Sequence, residues 1–132
     1  MTPHPRLHKA MQLVADANLD GWLIADFRWS NPFFGYLLGL QSGILTRRSF
    51  LWLPRQGAGE PQVLISRTDA HTVSRLGVSI SLYGGFEEMC AWLRDALPRD
   101  GRVAMEYVPH GALPTVSVVD AGLMELVLSF GV

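Results

Sequence analysis

The sequence predicts an α/β fold: one domain, residues 1–132, in which a mixed β-sheet is flanked by helices. Three observations lead there. Short apolar runs alternate along the chain with segments whose apolar residues recur at helical spacing. A glycine-rich connection of hairpin type joins two of those runs, so the sheet is mixed rather than purely parallel. A length of 132 residues, 48% hydrophobic and 17% charged, suits a single domain able to bury its own core.

Residues 5–18 carry Leu7, Ala10, Met11, Val14 and Ala17 on one helical face, with Pro5 in the first turn and Asn18 before Asp20-Gly21 as a stop. Residues 21–25 form a continuous apolar run, the mark of a strand covered on both sides. Residues 49–53 repeat that pattern. The segment 55–60 turns the chain, and residues 61–66 return antiparallel as a third strand. Thr68 or Asp69 is placed to cap a short helix running to Leu76, with Gly77 as its stop. Residues 78–83 read as a fourth strand. Phe86, Met89, Cys90, Leu93 and Leu97 define the clearest amphipathic helix, ended by Pro98 and Gly101. Residues 102–108 read as a fifth strand and 109–114 as a loop. Asp120 is set to cap a last helix whose Leu123, Leu126, Val127 and Phe130 share one face. Val132 follows a helix-stopping glycine and reads as the opening of a further strand, so the chain is expected to be part of a longer protein.

Composition excludes several function classes. A formal net charge of −1 offers no electrostatic case for nucleic acid or an anionic membrane. Cys90 is the sole cysteine, so no internal disulfide can form, and its place in an apolar helix favours a buried, unreactive thiol. No apolar run reaches membrane-spanning length. Met1-Thr2-Pro3-His4-Pro5 lacks the charged-then-apolar layout of a signal peptide, so a cytoplasmic protein is expected.

The residues with chemical potential cluster between positions 26 and 48. Asp26, closing the first strand, can anchor the loop it starts, pair with Arg28, Arg47 or Arg48, or stand at the mouth of a neighbouring pocket. Asn31-Pro32 favours a turn. The aromatic run after it is either a core helix or, through Trp29, Phe33 and Phe34, an anchor for another subunit. Arg47 and Arg48 are adjacent, so on a strand they point to opposite faces; one can hold Asp26 while the other meets an anionic group. His4 and His8 stand four apart, but His4 precedes Pro5 and no further ligand is near, so a solvated pair is expected. His71 reads as surface. His110 lies in a constrained Pro-His-Gly loop and is a candidate interface residue. Gly35, Gly39 and Gly43 read as close packing or loop flexibility. No phosphate-binding glycine loop and no nucleophile elbow occurs.

Asp26-Phe27-Arg28-Trp29-Ser30-Asn31-Pro32, Leu38-Gly39-Leu40 and Leu45-Thr46-Arg47-Arg48-Ser49-Phe50 resemble the N-terminal domain of creatinase, prolidase and aminopeptidase P type enzymes, the Xaa-Pro peptidases. Tyr36-Leu37-Leu38-Gly39-Leu40 is similar to a Tyr-Leu-Thr-Gly-Phe segment of that domain, with Leu38 and Leu40 departing from it. The likeness continues through residues 61–67 and 116–122, and so covers nearly the whole chain. It implies a three-layer α/β domain with a mixed, mostly parallel sheet of about five or six strands. It also implies a non-catalytic role: no cofactor on this chain, with two divalent metal ions (manganese, cobalt or zinc) held by a C-terminal catalytic domain that would follow it. The implied partners are that catalytic domain, a second copy in a homodimer or larger homo-oligomer, and short proline-containing peptides. The loop from Asp26 to Arg48 would overhang a partner's active site. Candidate substrate or interface residues are Asp26, Arg28, Trp29, Asn31, Phe33, Arg47, Arg48 and His110. A metal-free relative of creatinase type and a free-standing α/β binding module remain the alternatives.

Overall fold

The structure, a computed structural model that describes residues 3–132, is a five-stranded sheet between two helical layers. Met1 and Thr2, part of the terminus compared above with a signal peptide, lie outside the described residues. Helix α1 (Pro5–Asp16) starts as its sequence dictates: His4 before the proline is extended, and its Nδ1 accepts the Arg6 amide at 3.2 Å. Leu7, Ala10, Met11 and Val14 form its buried stripe. The helix stops at Asp16, two residues short of the expected end, and Asn18 reverses the chain with φ 57°.

Strand β1 (Gly21–Phe27) follows, then helix α2 (Pro32–Leu38). The aromatic run is therefore helical, capped by the Asn31 side chain and closed by Gly39 at φ 72°. Strand β2 (Arg48–Pro54) pairs antiparallel with β1, setting Phe27 against Arg48 and Gly21 against Pro54. Strand β3 (Gln62–Ser66) returns antiparallel through the expected hairpin, and β4 (Ser79–Tyr83) lies parallel to β3. Helix α3 (Phe86–Ala96) buries Met89, Cys90 and Leu93, and α4 (Ala121–Leu128) buries Leu123 and Val127.

Two expectations are corrected. The fifth strand spans only Val103–Ala104 (β5), parallel to β1, rather than residues 102–108. The chain leaves the sheet because the Glu106 side chain turns inward to buried partners, and the Tyr107 amide bonds back to the Met105 carbonyl at 2.8 Å. The helix expected up to Leu76 is a 3₁₀ helix, Arg67–Val73, and Ser66 caps it instead of Thr68 or Asp69. Asp69 is engaged elsewhere, as described below.

The strand order is β4-β3-β2-β1-β5. From the pairings, β1, β3, β4 and β5 share one direction and β2 alone is reversed, which makes the sheet mixed and mostly parallel. Alternate side chains feed two cores. Ile24, Leu51, Leu53, Val63 and Ile65 pack under α1 and α2 around Phe34. Leu23, Phe50, Trp52 and Leu64 pack under α3 and α4. Phe34 and Phe50 are fully buried, each worth about 2–3 kcal/mol of apolar burial. Gly21 is required where it stands: a Cβ there would lie 2.1 Å from the Trp52 ring.

Candidate functional site

The carboxyl ends of β1, β3 and β4 and the start of β2 meet at one edge of the sheet, where open α/β sheets place their sites. Every candidate from the loop between Asp26 and Arg48 is carried to that end. There the structure divides them into a buried scaffold and an open cleft.

Asp26 is 1% exposed. It pairs with none of Arg28, Arg47 or Arg48; its two oxygens accept the backbone amides of Trp29 at 3.0 Å and Asn31 at 2.8 Å. The loop-anchor reading is the one the geometry supports. The bonds explain how Arg28 and Trp29 persist side by side at φ 55° and 65°, a region that β-carbons disfavour. Burial raises the Asp26 carboxyl above its ordinary pKa, partly offset by those two amides.

Asn31 is equally buried and uses its whole amide. Its Oδ1 accepts the Phe33 amide at 3.0 Å, while Nδ2 donates to the Ala25 carbonyl at 3.0 Å and to Glu106 Oε1 at 2.5 Å. The other Glu106 oxygen accepts the Trp22 indole N–H at 2.5 Å. Burial again pushes this carboxyl up, with the Asn31 and Trp22 bonds pulling against it. Glu106 escaped the reading of the sequence. Its signal was a lone acidic residue inside the apolar run Val-Ala-Met-Glu-Tyr-Val, which costs too much to bury without partners. It lines a groove of about 370 Å³ with Trp22, Phe33 and Tyr107.

Trp29 and Phe33 are half-buried rather than free. The Trp29 indole donates to the Gly43 carbonyl at 3.1 Å and lies over Gly35, and Phe33 meets Trp22 edge-on at 5.5 Å. Phe34 belongs wholly to the core.

Arg47 and Arg48 both line one cleft of about 340 Å³, with Phe27, Tyr83, Phe86 and Asp120. The expectation of opposite faces fails because Arg47 precedes the strand, which begins at Arg48. Arg48 donates to Asp120 at 2.8 Å rather than to Asp26, and Tyr83 donates its hydroxyl proton to the Arg48 carbonyl at 2.6 Å. Asp120 also caps α4 by accepting the Leu123 amide. The Arg48 bond, then the Leu123 amide, hold its carboxyl below the usual range. Burial, then the nearby Asp69 charge, raise the Tyr83 phenol against the two arginines. Among the described residues the Arg47 guanidinium donates only to Thr46 Oγ1, at 3.3 Å, and forms no ion pair. Phe27 and Phe86, both exposed, line the same cleft. The cleft combines a guanidinium with exposed aromatic residues, a chemistry suited to a carboxylate on an apolar body.

Asp69 fixes the arginine pair from behind. It accepts the Thr46 amide and hydroxyl, both at 2.8 Å, and the Arg47 amide at 3.1 Å. Burial alone would raise its pKa, but these bonds outweigh it and leave the carboxyl below its ordinary value. His110 is exposed at φ 60° and lines neither the Arg47 cleft nor the Glu106 groove. His71 is exposed and Cys90 is buried and free. Among the described residues no group of three metal-ligating side chains converges, and no helix is long and apolar enough to cross a membrane.

A buried carboxylate scaffold holds an arginine-bearing loop at the end of a five-stranded mixed sheet, which defines an α/β domain. That fold is the one of creatinase/prolidase N-terminal domains. The creatinase/prolidase N-terminal domain of an X-Pro dipeptidase from Streptococcus pyogenes superposes with a TM-score of 0.67 at 10% identity, over 97% of this chain and 94% of that one. Dipeptidase PepE from Mycobacterium ulcerans matches over 96% of this chain at 20% identity and a TM-score of 0.61. The prolidase from Pyrococcus horikoshii OT3 does so over 96% at 10% identity and 0.62. This chain spans about a third of each of those two, 33% and 30% respectively. No family model and no curated protein matches the sequence.

Proposed function

We propose that this chain is the non-catalytic N-terminal domain of a metal-dependent Xaa-Pro dipeptidase or aminopeptidase. Its work is to join subunits and to narrow a partner's active site to short proline-containing peptides. The observation that carries this reading is the end-to-end correspondence with the Streptococcus pyogenes domain, which leaves neither chain with a large unmatched segment. The Arg47 cleft supports it further, since a peptide's terminal carboxylate on an apolar proline ring suits a cleft that holds both a guanidinium and exposed aromatic residues. The two divalent ions, manganese, cobalt or zinc, belong in this reading to a catalytic domain that follows. The described side chains do not fit such a centre, and no hydrolytic step is assigned to them. The setting is cytoplasmic.

The test is peptide hydrolysis by the longer protein, stripped of metal and then resupplied with manganese. Xaa-Pro dipeptides are cleaved only after resupply, and residues 1–132 alone cleave nothing. Arg47→Ala raises KM with little change in kcat. Hydrolysis by residues 1–132 alone, or a longer protein inert toward Xaa-Pro peptides under every divalent metal, would overturn the assignment.

A further inference from the structure

The groove of about 370 Å³ on the α1 side of the sheet has one charged residue in its lining, Glu106. The rest is uncharged and mainly apolar, with Leu13 and Val14 of α1, Trp22 of β1, Phe33 of α2 and Tyr107 among its walls. It shares no lining residue with the Arg47 cleft. Glu106 is 6% exposed, and the groups that bond its carboxylate are neutral: the Trp22 indole N–H and the Asn31 amide. Among the described residues it takes part in no ion pair. A buried carboxylate without a counter-ion is costly, and burial accordingly pushes this one up. Each of its oxygens spends one lone pair on its N–H and keeps another. The residue is also held still, because the Val118 and Val119 amides donate to its backbone carbonyl at 2.9 and 3.2 Å.

We infer that this groove binds a small organic ammonium ion, a protonated primary amine on an apolar or aromatic body. Charge complementarity selects that occupant. The ammonium supplies the positive charge that Glu106 lacks and donates to its spare lone pairs, while the body lies along the apolar walls and covers the exposed Leu13 and Tyr107. Aromatic residues in the lining add to the attraction for a cation. An anion of the same shape meets repulsion from the carboxylate, and a neutral alcohol of that shape brings no charge to it. The volume falls at the lower end of the range of about 300–1,000 Å³ found for small-ligand sites, which matches a single ring on a short chain. The inference stands or falls independently of the peptidase reading.

Calorimetric titration of the full chain at neutral pH tests it, with phenethylamine as the probe and phenethyl alcohol and phenylacetate as the neutral and anionic controls. The amine binds at one site, about tenfold or more tighter than either control, as a charge-assisted hydrogen bond requires. It also shifts the Trp22 indole N–H resonance, which Trp22→Phe identifies. Leu13→Ala, an exposed substitution on α1, weakens amine and alcohol alike, whereas Glu106→Gln abolishes the preference for the amine. Glu106→Gln also alters the bonds to Trp22 and Asn31, so the comparison of amine with alcohol on the unaltered protein decides by itself. An amine that does not bind, binds no better than the alcohol, or leaves the Trp22 resonance unmoved overturns the site. A Glu106→Gln protein that is folded by circular dichroism and keeps the preference overturns the part given to the carboxylate.

Discussion

Four carboxylates around the site titrate in two opposed ways, and the opposition yields a test. Asp26 and Glu106 have pKa values raised mainly by burial. Such a group stabilises the fold while protonated: its contribution is complete below the ordinary carboxylate range and is lost as pH rises through the elevated value. Asp69 and Asp120 have lowered values. Their contribution is present above the ordinary range and is lost as pH falls through the depressed value. Urea melts stepped in pH should therefore show Asp69→Asn less stable by about 1–3 kcal/mol at neutral pH, from amides left without their acceptor, with the gap closing on acidification. Glu106→Gln should instead flatten the decline above the ordinary glutamate value; a gap that widens in acid for Asp69→Asn would contradict the assignment. At this scale the sequence was partly legible for Asp26, whose place at a strand end offered the loop anchor beside an arginine pairing and a pocket-mouth role, and only the bonds to Trp29 and Asn31 chose among them. It was not legible for Glu106, because its partners Trp22 and Asn31 are distant in the chain and only the fold brings them within reach.

Helix α4 shows how one element depends on another through a single side chain. Asp120 accepts the Leu123 amide that starts α4 and the Arg48 guanidinium that starts β2. Asp120→Ala removes both and should cost about 1 kcal/mol or more, as lost N-caps do. Asp120→Asn keeps the cap, so chemical denaturation should place it between the parent and the alanine variant. Equal losses in the two would mean the ion pair, rather than the cap, holds the helix. The cap was readable from Asp120 standing before an apolar period; its partner was not, since Arg48 had several acids to choose from. Boundaries failed where side chains overrode local pattern. The apolar run 102–108 looked like a strand, but the inward turn of Glu106 ends β5 at Ala104. Likewise Asp69 looked like a cap, but its bonds to Thr46 and Arg47 take it out of that role.

Across the whole molecule, the two cores are the two sides of the same strands: Leu23 and Ile24, Leu51 and Trp52, Val63 and Leu64 alternate between them. Neither layer can be lost without exposing the back of the other, so unfolding should be one transition. The tryptophans allow a direct check, because Trp22 and Trp29 pack on the α1 side, and Trp52 and Trp92 on the α3 side. With either pair replaced by phenylalanine, fluorescence and far-UV circular dichroism should share one midpoint; two separated midpoints would show layers that melt apart. The architecture was legible at this scale because period and order are local signals, whereas the cleft required knowing that Arg47 lies just outside its strand. Sheet order also has a consequence for synthesis. Strands β1 to β4 neighbour one another in the order they are made, and only β5 crosses to the far side. A nascent polypeptide emerging from the ribosome can thus assemble the first four strands vectorially, with Phe50 and Trp52 uncovered until α3 and α4 emerge. That interval is when the growing chain most needs a chaperone.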